Sequence, residues 1–161
     1  MFEFEAGPVD VNSCIRHAVE GISRLAWEQG RVSVQSVAPV DLPLALAERA
    51  RVQQILGNLL HNALRHTPEG GLIVVDAEPA DDVIWVSVSD TGLGIAPEDL
   101  AHVFDRYYQG ERSGRHAGGS GLGLAVVKQL IEAMGGTITV DSTPDEGTTF
   151  RFSLPRYHEN R

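Results

Sequence analysis

Cysteine is almost missing from this chain. Cys14 is the only one among 161 residues, so an internal disulfide and a cysteine-built zinc site are both excluded, and a reducing compartment is the simpler setting. Basic side chains are scarce too. Lys and Arg number 13 against 22 Asp and Glu, giving a net charge of −9. That balance repels nucleic-acid phosphates and anionic membrane surfaces, and no local basic patch offsets it. No stretch approaches the ~20 apolar residues of a membrane span, and the start, Met1 to Glu5, lacks the basic region and apolar run of a signal peptide. These absences describe a cytoplasmic domain with no nucleic-acid partner and no direct membrane contact, although a piece of a membrane receptor would have the same composition. With 42% hydrophobic content and no internal repeat, low-complexity tract or linker, residues 1–161 fit one domain around one core.

Hydrophobic periodicity supplies the elements. Ile15, Ala18, Val19, Ile22, Leu25 and Ala26 recur at helical spacing between Asn12 and Gly30, predicting an amphipathic helix. Val32 and Val34 alternate with polar residues in a short strand, and Asp41 to Leu46 is a second candidate. A helix from about Glu48 carries the stripe Val52, Ile55, Leu56, Leu59, Leu60, Ala63 and Leu64, and Pro68 with Gly70-Gly71 ends it. Leu72 to Ala77 and Val83 to Ser89 read as a hairpin turning at Asp81-Asp82. A helical turn over Glu98 to Phe104 precedes a run, Gln109 to Gly119, with few apolar anchors. Such a long connection reads as a mobile lid, spanning about 97–119. A third helix runs from about Gly121 to Met134, and strands at Thr137 to Val140 and Thr148 to Leu154 flank a turn at Pro144 to Gly147. The expected fold is α+β: three helices on one mixed, mostly antiparallel sheet, a two-layer sandwich.

Three segments carry candidate chemistry. Asn58 and Asn62 lie one helical turn apart, with Arg65 and His66 a further turn on, in rows expected opposite the apolar stripe. They face one ligand or simply form a solvated helix face. Asp90 stands where a strand leaves the core, and Gly92 and Gly94 remove side chains from where a flat ring could approach the backbone. A carboxylate there accepts a hydrogen bond from an exocyclic amine, which adenine has and guanine replaces with a carbonyl at the same edge; an acidic turn residue is the plainer alternative. Gly119-Ser120-Gly121-Leu122-Gly123-Leu124 opens a helix but has neither the dinucleotide fingerprint nor the Walker lysine. Its free amides and helix dipole suit phosphate, unless it is only a loop-to-helix junction.

In order and spacing, Asn58-Leu59-Leu60-His61-Asn62-Ala63, Asp90 to Gly94, the aromatic cluster at Phe104, Gly119 to Leu124, and Gly147-Thr148-Thr149-Phe150 resemble the catalytic and ATP-binding domain of sensor histidine kinases. That family belongs to the superfamily of DNA gyrase, ninety-kilodalton heat-shock chaperones and mismatch-repair ATPases, and the match runs from about Val9 to Pro155. The resemblance implies a Bergerat-type fold with ATP and magnesium as cofactors. It makes Asn62, with Asn58, the magnesium ligands, brings Arg65 to the phosphates, and places His66, where the family often has tyrosine, beside adenine. It assigns Asp90, Gly92, Gly94, Ile95, Tyr108, Gly119, Gly121, Leu122, Gly123, Leu124 and Thr148 to the nucleotide site. Phe104, Tyr107 and Tyr108 would dock the lid; Gln109 departs from the basic residue common there, a charge that Arg112 or Arg115 could supply.

In the ATPase relatives, a glutamate one turn before the magnesium asparagine activates water; Asn58 stands there and cannot take that proton. A neutral imidazole acceptor needs alignment and charge stabilisation more than a base, so the expected reaction is phosphotransfer to a protein histidine. His17, His61, His66, His102, His116 and His158 all lack the sequence context of the family's acceptor helix. The acceptor is therefore expected on a separate dimerisation domain preceding residue 1, with a response regulator downstream, the isolated domain monomeric, and the parent an inner-membrane receptor carrying this domain on its cytoplasmic side. The alternatives are an ATP-driven conformational switch of the gyrase or chaperone kind and a non-catalytic nucleotide-binding module.

Overall fold

The structure, a computed structural model, describes residues 5–106 and 123–159. Its elements in chain order are β1 (Gly7–Val9), α1 (Val11–Gly30), β2 (Ser33–Ser36), β3 (Ala45–Ala47), α2 (Arg49–His66), β4 (Leu72–Pro79), β5 (Val83–Asp90), α3 (Pro97–Leu100), α4 (Gly123–Ala133), β6 (Ile138–Thr143) and β7 (Gly147–Pro155). The main sheet has the order β2-β4-β5-β7-β6, parallel between β2 and β4 and antiparallel at the other joins. Helices α1, α2 and α4 pack side by side against it, so the two-layer α+β architecture expected from the sequence is the one observed.

Alternation in the strands decides which face the helices cover. Ile73, Val75 and Ala77 of β4, Ile84, Val86 and Val88 of β5, and Phe150, Phe152 and Leu154 of β7 are all buried, because successive residues of a strand point to opposite faces. They meet Val52, Ile55, Leu56, Leu59 and Leu60 from α2, the helix at the centre of the layer. Each large aliphatic or aromatic side chain so buried contributes roughly 1.5–3 kcal/mol relative to exposure. On the other face, Arg151 lies over the Trp85 ring at 4.0 Å and pairs with Glu78 at 2.9 Å, leaving that side to solvent.

The helix ends follow local chemistry. Asp10 caps α1, its carboxylate accepting from the Ser13 amide at 3.2 Å, and Arg31 closes the helix in a left-handed conformation. Helix α4 ends where Gly135 takes φ +88. The Gly135 amide donates to Glu132 O at 3.0 Å and the Gly136 amide to Ile131 O at 2.9 Å, the paired bonds of a Schellman cap.

Two expectations needed correction. The strand expected over Asp41 to Leu46 is confined to Ala45–Ala47, and its partner is β1, which the sequence reading missed. A strand this short carries too few alternations to be read, and it exists because Val9, Ala45 and Ala47 are buried against the main core. Leu25, placed on the core face of α1, is 38% exposed, whereas Cys14 is fully buried in its stead. Among the described residues, no helix is long and apolar enough to cross a membrane.

Gly136 gives a direct test of sheet-to-helix packing, because a Cβ there would come within 1.9 Å of Ser153 O. Gly136→Ala should lower stability by about 1–3 kcal/mol, the usual cost of overpacking, read as a reduced urea midpoint; an unchanged midpoint would contradict the close approach of α4 and β7.

Candidate nucleotide site

Asp90 occupies a position where the strand pattern calls for an aliphatic residue. It follows Ile84, Val86 and Val88 on the helix-facing side of β5 and is only 8% exposed. Register sets Ile73 on one side of it and Thr148, also buried, on the other. Ser142 of β6 lies opposite Thr148, so Ile73, Asp90, Thr148 and Ser142 form one row across four strands. Burial pushes the Asp90 carboxyl above the ordinary carboxylate range, opposed by the backbone of Gly92 and of Thr148. The Gly92 amide donates to Asp90 Oδ1 at 2.8 Å.

The segment after Asp90 is tied to three neighbours. Thr91 and Leu72 exchange bonds, the Thr91 amide donating to Leu72 O at 3.1 Å and the Leu72 amide to Thr91 Oγ1 at 3.0 Å. The Leu93 amide donates to His66 O, in the last turn of α2, at 3.1 Å. The Asp145 amide donates to Leu93 O at 2.6 Å, and the Ile95 amide to Ser142 Oγ at 2.7 Å. These bonds give the glycines a packing reason of their own, separate from any ring they could admit. A Cβ on Gly92 would lie 2.3 Å from His66 O, and one on Gly94, at φ +73, would lie 2.2 Å from Thr143 O. Protein backbone fills those gaps, so glycine is needed here for the loop to pack between α2 and the β6–β7 turn.

Helix α2 contributes the other half of the site. Asn62 is 7% exposed and not opposite the apolar stripe as expected; it borders that stripe beside Ala63 and Leu59. Its Oδ1 accepts from Arg65 Nη2 at 3.5 Å, and its backbone carbonyl lies 2.9 Å from His66 Nδ1. Asn58 is half-buried, and its Nδ2 donates to Gly123 O at 3.4 Å, joining α2 to the first residue of α4. His66 thus links both halves: its side chain reaches back to Asn62, and its carbonyl holds Leu93 of the loop that begins at Asp90. Asp90 and Asn62, both buried among helices and sheet, are thereby tied to one another through His66 and the loop at Leu93.

Phe104 is docked rather than free. Its ring meets Phe150 edge-on at 6.0 Å, and Lys128 Nζ of α4 lies 5.6 Å from its centroid. Ile95 and Leu124 are partly buried against the core. Tyr107, Tyr108, Gln109, Arg112, Arg115, Gly119, Gly121 and Leu122 lie outside the described residues, as does all of the segment read as a mobile lid beyond residue 106. Ser142 was missed from sequence although its signal was present: Ile138, Val140 and Ser142 alternate inward along β6, so a hydroxyl takes an inward place.

Chemically, the cleft offers a buried carboxylate acceptor at the sheet and two amide oxygens on α2. Among the described residues, no group of three or more His, Cys, Asp or Glu could hold a metal. The available donors are the hard amide oxygens of Asn58 and Asn62, which suit magnesium when phosphate and water complete its six ligands. The residues present therefore fit an adenine nucleotide carrying a divalent ion.

Comparison with known proteins agrees with this chemistry. The family described as Histidine kinase-, DNA gyrase B-, and HSP90-like ATPase matches residues 47–158. The chain is 36% identical over 157 residues to the sensor-like histidine kinase SenX3 of Mycobacterium tuberculosis, covering 94% of this chain and 38% of that protein. It is 39% identical over 115 residues to the sensor histidine kinase WalK of Bacillus subtilis, covering 70% and 19%. The chain thus spans well under half the length of these curated relatives. Among solved structures, full-length ShkA in complex with AMPPNP is similar with a TM-score of 0.85 and 33% identity, over 98% of this chain and 32% of that one. The catalytic domain of the histidine kinase ThkA is similar at TM-score 0.82 and 25% identity, over 95% and 99%.

The buried carboxyl has a stability consequence whose sign is fixed. Since the folded state raises the Asp90 pKa, its favourable contribution is complete below the unfolded value of ~3.9 and is lost as pH rises through the raised folded value. Ionising Asp90 in the folded protein therefore costs stability that ionising it in the unfolded chain does not. Asp90→Asn should raise the melting temperature at pH 7, with the gain shrinking towards zero as the pH falls below 4; equal melting temperatures at both pH values would refute it.

Proposed function

This chain belongs to the family of histidine kinase-, DNA gyrase B- and HSP90-like ATPases, and on that premise we propose that it is the catalytic, ATP-binding domain of a sensor histidine kinase. It delivers the γ-phosphoryl group of ATP to a histidine on a separate dimerisation domain of the same kinase. The observation that carries the choice is Asn58. In place of a carboxylate one turn before Asn62, it has an amide whose Nδ2 is committed to Gly123 O, and an amide has no basicity to activate water. This counts against the hydrolytic switch of the gyrase or chaperone kind.

In this reading Asp90 accepts from the adenine amine while ionised, and Thr148, Gly92, Gly94 and Ile95 complete the base pocket beside His66. Asn62 and Asn58 hold magnesium, which neutralises phosphate charge when bound. Arg65, exposed at the end of α2, reaches the phosphates, while Gly119, Gly121, Leu122, Gly123 and Leu124 form the cradle at the start of α4. Tyr108 belongs to a lid over about 97–119, anchored where Phe104 packs on Phe150. Little covalent work is left to the protein, since phosphoryl transfer depends mainly on positioning and charge stabilisation. Residues 1–161 act as one domain, monomeric by itself and cytoplasmic, and a response regulator receives the phosphoryl group from the partner histidine.

The test combines this chain, γ-labelled ATP and magnesium with the histidine-bearing segment of its own gene. Acid-labile phosphate should appear on that segment; release of inorganic phosphate at the same rate without it would favour the ATPase reading. Asn62→Ala should abolish transfer and most of the magnesium dependence of ATP binding. Asp90→Ala should weaken ATP binding by about 1–3 kcal/mol, the value of a hydrogen bond to a charged group, measured by calorimetry; unaltered affinity would remove Asp90 from the base pocket.

A further inference from the structure

Ser142 stands at a junction whose hydrogen-bond arithmetic closes in only one way. Its Oγ accepts from the Ile95 amide at 2.7 Å, donates to Gly147 O at 2.9 Å, and lies 2.8 Å from Thr148 Oγ1. A serine hydroxyl has one proton and two acceptor sites. Gly147 O is an acceptor only, so it takes the Ser142 proton; the Ile95 amide fills one acceptor site, and the Thr148 hydroxyl must donate to the other. Thr148 therefore keeps only lone pairs for the cleft. It sits directly opposite Asp90, both buried on the helix-facing side of the sheet, and an ionised Asp90 is likewise an acceptor only.

We propose that Ser142 is a specificity-determining residue: by taking the hydroxyl proton of Thr148 it makes the Asp90–Thr148 row acceptor-only, selecting a purine that presents an exocyclic amine and rejecting one that presents an oxygen acceptor there with no ring N–H beside it. This rests on the nucleotide-site reading above and adds to it a residue that touches no ligand. Ser142 acts through Thr148 and so is a positioning residue. Its second bond, to Ile95, keeps the loop after Asp90 in the same frame, so that both acceptors hold a common orientation.

The experiment measures ATP and 6-methoxypurine riboside triphosphate affinity by calorimetry, the second nucleotide bearing an oxygen acceptor in place of the amine while N1 stays unprotonated. The wild-type chain should favour ATP. Ser142→Ala, which frees the Thr148 hydroxyl to donate, should shrink that preference about tenfold, the scale of one discriminating hydrogen bond, largely through a gain for the methoxy analogue. Ser142→Thr, which keeps the hydroxyl, should retain the preference. In a Thr148→Val background there is no proton to orient, so adding Ser142→Ala should leave the ratio unmoved; a merely structural role would shift it there equally. Should Ser142→Ala fail to fold, the near-isosteric Ser142→Cys, with its weak S–H group, should shrink the ratio instead. An unchanged ratio in the folded variant, or equal shrinkage with Val at 148, overturns the role of Ser142. A wild-type chain with no preference for ATP overturns the nucleotide reading itself, which keeps the two failures distinct.

Discussion

A carboxylate in a row built for aliphatic side chains organises this molecule. Asp90 is the last inward-facing residue of β5, and each bond around it reflects the need to hold a buried acceptor in place. Gly92 turns its amide back onto the carboxylate, Thr148 lies across the strand pair, and the loop that follows is strung between α2, β4 and the β6–β7 turn. Burying a charge is unfavourable unless something compensates it. The backbone around Asp90 offsets only part of that cost, as its raised pKa indicates. In the proposed reading, the adenine amine supplies the donor that the backbone leaves missing, so the burial of Asp90 would favour the ligand that brings one.

Helix α2 serves the core and the site at once. Its apolar stripe fixes its position on the sheet, and Asn62 borders that stripe closely enough to be buried with it. The orientation of the Asn62 amide, proposed to hold magnesium, is thereby set by packing and not left to a flexible surface side chain. His66 extends the arrangement by one turn, since its carbonyl anchors the loop from Asp90. Movement of α2 along the sheet would displace both halves of the cleft together.

In the proposed reading, Asn58 separates this chain from hydrolytic members of the superfamily by chemistry and by placement. An amide bonded to the first residue of α4 couples that helix to α2 and is unsuited to proton abstraction. Phe104, packed on Phe150 beneath Lys128, forms a second fixed point near the other end of the segment leading to α4.

Periodicity in the sequence determined the long elements, because α1, α2 and the β4–β5 hairpin each contain enough repeats of a 3.6 or 2.0 pattern to outweigh chance. Local chemistry also announced the glycine stop of α4 and the asparagine and aspartate motifs. Strand β1, its pairing with β3, the exposure of Leu25 and the burial of Asn62 were decided by tertiary contact, which short or borderline segments acquire only from their neighbours. The glycines after Asp90 were visible as glycines, yet their reason, the nearness of His66 O and Thr143 O, belongs to residues far away in the chain. Sequence thus named the acceptor and the amides, whereas strand register alone put Asp90, Thr148 and Ser142 in one row, because hydrogen-bonded pairing sets which side chains stand opposite and no single strand encodes its partner's offset.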